Sequence, residues 1–169
     1  MVGNARPASL DVLIDGRAIE SQDPRDVRHA LLATAARPFS EIWLSVNGGP
    51  AMALLKSGER VLCLFVRHHG DPGFTSRRPL REKKSAASDE LEFRVGKSGG
   101  AERSRFPENW TVPLFVALRA ADEFLRTGER PPQIVWHDDA PTPASPAHKP
   151  APAARKSGTR QKSPRKRST

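Results

Sequence analysis

Tyrosine is absent from this chain of 169 residues, and cysteine occurs once, at Cys63. A lone cysteine excludes an intramolecular disulfide framework and fits a reducing compartment. No apolar run approaches the roughly 18–20 residues of a membrane-spanning helix, so no span is expected. The amino terminus has no basic-then-apolar leader pattern, and the expected location is the cytoplasm. Neither Gly-x-x-x-x-Gly-Lys-Ser/Thr nor Gly-x-Gly-x-x-Gly occurs. Gly48, Gly49, Gly70, Gly73, Gly96, Gly99 and Gly100 therefore read as turn residues. No internal repeat is visible, and no zinc-ligand spacing is present.

Acid is missing from one region. Pro141 to Thr169 carries 8 Lys and Arg and no Asp or Glu, whereas residues 1–140 hold 20 Lys and Arg against 19 Asp and Glu. The net charge of +9 is thus a property of the carboxyl-terminal segment and not of the body. From Ala140 onward there is no Val, Ile, Leu, Met, Phe or Trp, and Pro recurs. Ordering the backbone alone costs about 1–2 kcal/mol per residue, with no apolar burial to offset it. The chain accordingly divides into a folded domain over residues 1–139 and a disordered Pro/Ala/Lys/Arg-rich basic tail over 140–169. Arg160, Lys162, Arg165, Lys166 and Arg167 form the part of the tail suited to weak, non-specific contact with nucleic acid or another anionic surface.

Leu10 to Ile14 reads as a strand closed by Asp15-Gly16. Asp23 as N-cap and Pro24 in the first turn start a helix that runs to about residue 36, before Pro38. Ser40–Val46, Ala51–Leu55 and Val61–Val66 read as three strands joined by short turns, an antiparallel meander. The unbroken apolar run Val61-Leu62-Cys63-Leu64-Phe65-Val66 belongs in mid-sheet, covered on both faces. His68 to Arg81 reads as a turn-rich loop, and Arg77 to Ser88 as a flexible connection. Leu91–Val95 alternates as a strand, with Glu102–Phe106 as its partner. Thr111 caps a second helix with Pro113 in its first turn. Leu114, Leu118, Ala121 and Leu125 form its apolar stripe, widened by Ala117 and Phe124, and Gly128 ends it. Gln133 to Trp136 is a final strand running into His137-Asp138-Asp139. The fold class is α+β: a mostly antiparallel sheet of about five to seven strands with two main helices.

No constellation of nucleophile, base and orienting group assembles from these elements, so no enzyme, cofactor or metal is expected. Cys63 sits in the most buried strand, away from the solvent a thiolate needs. His68 and His69 are adjacent on a strand end and point to opposite faces, so only one could join His137, Asp138 or Asp139. Trp43 packs in the sheet, Trp110 staples a loop to the second helix, and Trp136 borders the terminal acids as a core lid or an interface anchor.

Gly70-Asp71-Pro72-Gly73-Phe74-Thr75-Ser76-Arg77, Trp110-Thr111-Val112-Pro113, Ala117-Leu118, Phe124-Leu125, Gly128, Arg130-Pro131-Pro132 and Val135-Trp136-His137-Asp138-Asp139 occur in that order. Over roughly Ser40 to Asp139 this resembles the immunity protein family numbered one, from bacterial polymorphic toxin systems. The resemblance implies a small, cytoplasmic, non-enzymatic protein, often encoded beside a toxin, which it binds and neutralises. The toxin is frequently a nucleic-acid deaminase; a nuclease is also compatible. Asp71, Phe74, Trp110, Trp136, His137, Asp138 and Asp139 are then the candidate partner-binding residues. In that role Asp71, Asp138 and Asp139 pair with the basic cleft of the toxin, and Trp136 supplies an anchor. Two features depart from the family: the Lys-rich segment between Arg77 and Glu90, and the tail after Asp139. The competing expectation is a nucleic-acid-associated accessory protein that works through its tail.

Overall fold

Leu10–Ile14 forms β1, and Asp15-Gly16, both at positive φ (50° and 76°), turn the chain into β2 (Arg17–Ile19). Two successive left-handed residues are what a tight hairpin turn requires, and Asp-Gly supplies them. These coordinates are a computed structural model that describes residues 10–21, 23–46, 48–78, 89–96 and 102–140. Most of the segment expected to be a flexible connection, and all of the tail beyond Ala140, lie outside the described residues, as do Arg160, Lys162, Arg165, Lys166 and Arg167.

The first helix, α1 (Pro24–Ala33), starts where Asp23 accepts the Arg25 N–H at 2.8 Å and buries Val27 and Leu31. It stops three residues earlier than expected. Thr34–Ala36 is a separate 3-10 turn, and the Thr34 hydroxyl donates to the Leu31 carbonyl at 2.6 Å, tightening the chain ahead of Pro38.

The expected meander follows as β3 (Phe39–Val46), β4 (Ala51–Ser57) and β5 (Arg60–Val66), all antiparallel. Strand alternation sends Ile42, Leu44, Met52, Leu54, Val61, Cys63 and Phe65 to one face. There they meet Val27 and Leu31 of α1 and Ala117, Ala121 and Phe124 of α2 (Leu114–Thr127). Leu55, Leu62 and Leu64 go to the other face and are covered by Phe93, Leu91, Val95, Phe106 and Trp110. That cover is a separate two-stranded sheet, β7 (Glu90–Val95) and β8 (Glu102–Pro107). The apolar run of β5 is therefore sandwiched between helices and hairpin, which accounts for its lack of polar interruption.

Three short strands bring the main sheet to eight. Besides β2, these are β6 (Phe74–Arg77), in the stretch expected to be loop, and β9 (Thr111–Pro113), in the stretch expected to open the second helix. Thr111 is not a helix cap: its hydroxyl donates to the Glu108 carbonyl at 2.6 Å, and Arg60 Nε donates back to it at 2.9 Å. The helix begins at Leu114, with no side-chain cap, and Gly128 (φ 69°) closes it by donating its N–H to the Phe124 carbonyl at 2.7 Å. With β10 (Val135–Asp138) the strand order is β10-β6-β5-β4-β3-β1-β2, and β9 lies beside β5. Helices on one face of an antiparallel sheet and a hairpin on the other make the fold α+β.

Candidate functional site

The stretch from Gly70 to Arg77 and the chain end at Asp139 meet at one rim of the sheet. β5 changes partner there: Leu64 and Phe65 pair with Thr75 and Phe74 of β6, while Arg60 to Leu62 pair with β9. The gap between the two partners falls at Cys63. The buried Ser76 hydroxyl fills it, accepting the Cys63 N–H at 2.9 Å and donating to the Trp110 carbonyl at 2.5 Å. Only a side chain that both accepts and donates satisfies those two main-chain groups at once. Gly73, at φ 82°, lies so close to β5 that a Cβ would stand 2.7 Å from the Phe65 carbonyl oxygen.

Asp71 closes the loop from inside. Its carboxylate accepts the Arg67 N–H at 2.8 Å and the Arg67 guanidinium at 2.9 Å and 2.7 Å, and its side chain is 1% exposed. The hydrogen bond from that guanidinium, followed by the one from the backbone N–H, holds the carboxyl well below the usual carboxylate range. Phe74 is buried, with Arg67 and Arg130 stacked over its ring at 5.1 Å and 4.1 Å. Trp136 packs against Phe65 at 6.2 Å and donates its indole N–H to the Pro131 carbonyl at 2.8 Å. Asp139 is anchored twice: its N–H donates to the Gly73 carbonyl at 3.0 Å, and its carboxylate accepts the Thr75 hydroxyl.

The rim thus gathers Asp71, Phe74, Trp136, His137, Asp138 and Asp139, but it uses most of them internally. Trp110 stands apart, on the hairpin side, at 6.3 Å from Phe106 and with Arg77 over its ring at 3.9 Å. It does not staple a loop to α2, because β9 intervenes. Val135, His137 and Asp138 are the exposed side chains of β10. Among the described residues Asp138 accepts the Ala140 N–H within its own turn, at 2.9 Å; the hydrogen bond to Asp71 is the main cause that holds Arg67 protonated, and the charge of Asp138 adds a smaller share. The adjacent acids, which the sequence presents as a pair, therefore differ: Asp138 faces outward and Asp139 is tied down. The outer edge of β10 pairs with no other strand among the described residues.

Chemically, this rim offers a carboxylate, an imidazole, two guanidiniums and a strand edge for recognition. Burial pushes the Cys63 thiol far above its usual value, so it is held as the unreactive thiol. His68 and His69 are exposed, and among the described residues no group of three His, Cys, Asp or Glu is placed to hold a metal ion. Sequence reasoning missed the arginines that frame the rim. Arg67 was detectable as a cation four residues before Asp71; Arg130 comes from a distant segment and leaves no local pattern around Phe74.

The family described as Immunity protein Imm1 matches residues 17–138, which takes in both helices, the meander, the hairpin and the rim up to Asp138. No curated protein matches the chain at a significant level.

Proposed function

We propose that this chain, which belongs to the Immunity protein Imm1 family, neutralises a cognate polymorphic toxin by docking on it, without chemistry of its own. Family membership over residues 17–138 is the observation that carries this reading, since an immunity protein acts by binding the toxin it guards against. The rim suits such a role. A rigid frame built from Asp71, Gly73, Phe74, Ser76 and Asp139 holds His137 and Asp138 in fixed positions at an open strand edge. Groups already fixed before contact lose little further freedom on binding. The toxin class that fits an outward carboxylate is one with a basic nucleic-acid cleft, such as a deaminase or nuclease, which the docked chain would occlude. No helix among the described residues is long and apolar enough to cross a membrane. Co-expression with the toxin encoded beside it tests this reading: growth should be restored and the two proteins should co-purify. Continued killing with no complex would refute it.

A second reading rests on the tail, whose 8 basic residues and absence of acid favour nucleic acid. On that reading the chain is an accessory protein, and removing residues 141–169 would abolish every activity.

A further inference from the structure

We infer that the outer face of the α1–α2 pair is a second docking surface, which takes an acidic, apolar-studded segment of the toxin. This rests on the neutralising function proposed above. The inward row of α2 is Ala117, Ala120, Ala121 and Phe124, all fully buried. Phe115, Arg119, Asp122 and Arg126 recur at intervals of one helical turn on another side. Phe115 is 66% exposed and Leu32 of α1 is 51% exposed, so two of the four large apolar side chains left in solvent among the described residues belong to this one layer. Arg28 reaches Asp122 at 3.3 Å, tying the helices together. Pro24 and Arg25 share a groove with Leu125 and Arg126, so the helices run antiparallel, and Leu32 and Phe115 lie toward the other end of the pair.

The groove encloses about 500 Å³ and is lined by Arg25, Arg28, Arg119 and Arg126 against only Asp122 and Glu123. Arg28 is matched by Asp122, and Arg126 by Glu123 at 2.5 Å. Arg25 and Arg119 are left without a carboxylate among the described residues. Two free guanidiniums fit two carboxylates, each in a bidentate fork. Asp122 and Glu123 within the groove disfavour a continuous phosphate backbone but leave room for separate carboxylates on a protein. Phe115 and Leu32 add the apolar anchors that concentrate binding energy in protein interfaces.

Affinity of the full chain for the toxin encoded beside it, measured by titration at low and high salt, tests the assignment. Arg25→Glu combined with Arg119→Glu should weaken binding by about 30-fold or more at low salt. Phe115→Ala should weaken it by about tenfold. Arg119→Lys, which keeps the charge and loses the fork, should have a smaller effect than the reversal. The thermal midpoints of all three variants should match the parent, since the altered side chains are wholly or partly solvated. If the double reversal binds as tightly as the parent, the helix face is not an interface and neutralisation stands without it. If the unaltered chain forms no complex, the neutralising function falls and this surface falls with it. If the reversal abolishes binding of a labelled single-stranded oligonucleotide but leaves toxin affinity intact, the groove serves nucleic acid and the inference is overturned.

Discussion

At Gly73 a methyl group would meet both a carbonyl oxygen and, at 2.9 Å, Val66 Cγ1, in a backbone conformation (φ 82°) that L side chains rarely adopt. Gly73→Ala should lower stability by about 1–3 kcal/mol in urea unfolding. Ser76→Ala strands the buried Cys63 N–H and the Trp110 carbonyl, and should cost about 1–3 kcal/mol. Asp71 gives a pH signature. Its folded carboxyl titrates below the unfolded value of about 3.9, so its stabilisation is complete above that pH and is lost as pH falls through the folded value. Asp71→Asn should therefore be less stable than the parent at neutral pH, and the difference should shrink on acidification below about pH 4. Asp138→Lys, at the outward acid, should slow association with the toxin and flatten its salt dependence, whereas the same change at Asp139 should first damage the fold by displacing Thr75. The motif around Asp71 was legible in the sequence as a turn and as the carrier of a family likeness. Its work was not legible, because the Cys63 N–H, the Trp110 carbonyl and the Asp139 carboxylate that complete it arrive from three other segments.

Among the elements, those governed by local periodicity were the readable ones. The meander announced itself through apolar runs and turn glycines, and α2 through its stripe and Gly128. β6 and β9 were hidden because strands of four and three residues show too little alternation to register against Pro72, Gly73 and Pro113. Both exist because β5 has an edge to fill, a tertiary demand absent from their own residues. Thr111 illustrates the ambiguity: a hydroxyl before a helix looks like a cap, yet its β-branched side chain and the Arg60 contact suit a strand. The hairpin β7–β8 was readable as a pair, but not as a cover for the second face of the sheet. Phe93, fully buried and 5.7 Å from Phe106, holds that layer in place. Phe93→Ala should cost about 3–5 kcal/mol in urea unfolding, without altering the rim on the far side of β5.

For the whole molecule, charge separates two tasks. The body is near neutral, so on the proposed reading it would recognise by placement of individual groups; residues 141–169 carry almost all the excess charge and would act by attraction. Deleting residues 141–169 should abolish salt-sensitive nucleic-acid binding and leave toxin neutralisation intact, as read by oligonucleotide retention and by a protection assay. A single titration addresses the central claim that this protein disarms its toxin by occupying it. Increasing amounts of the purified full chain are mixed with a fixed amount of the toxin that co-purifies with it, and residual toxin activity and toxin mass are followed together. Inhibition should saturate at one chain per toxin with the toxin's mass unchanged. Complete inactivation by a small fraction of an equivalent, with the toxin covalently altered, or no inhibition at any ratio, would contradict the account.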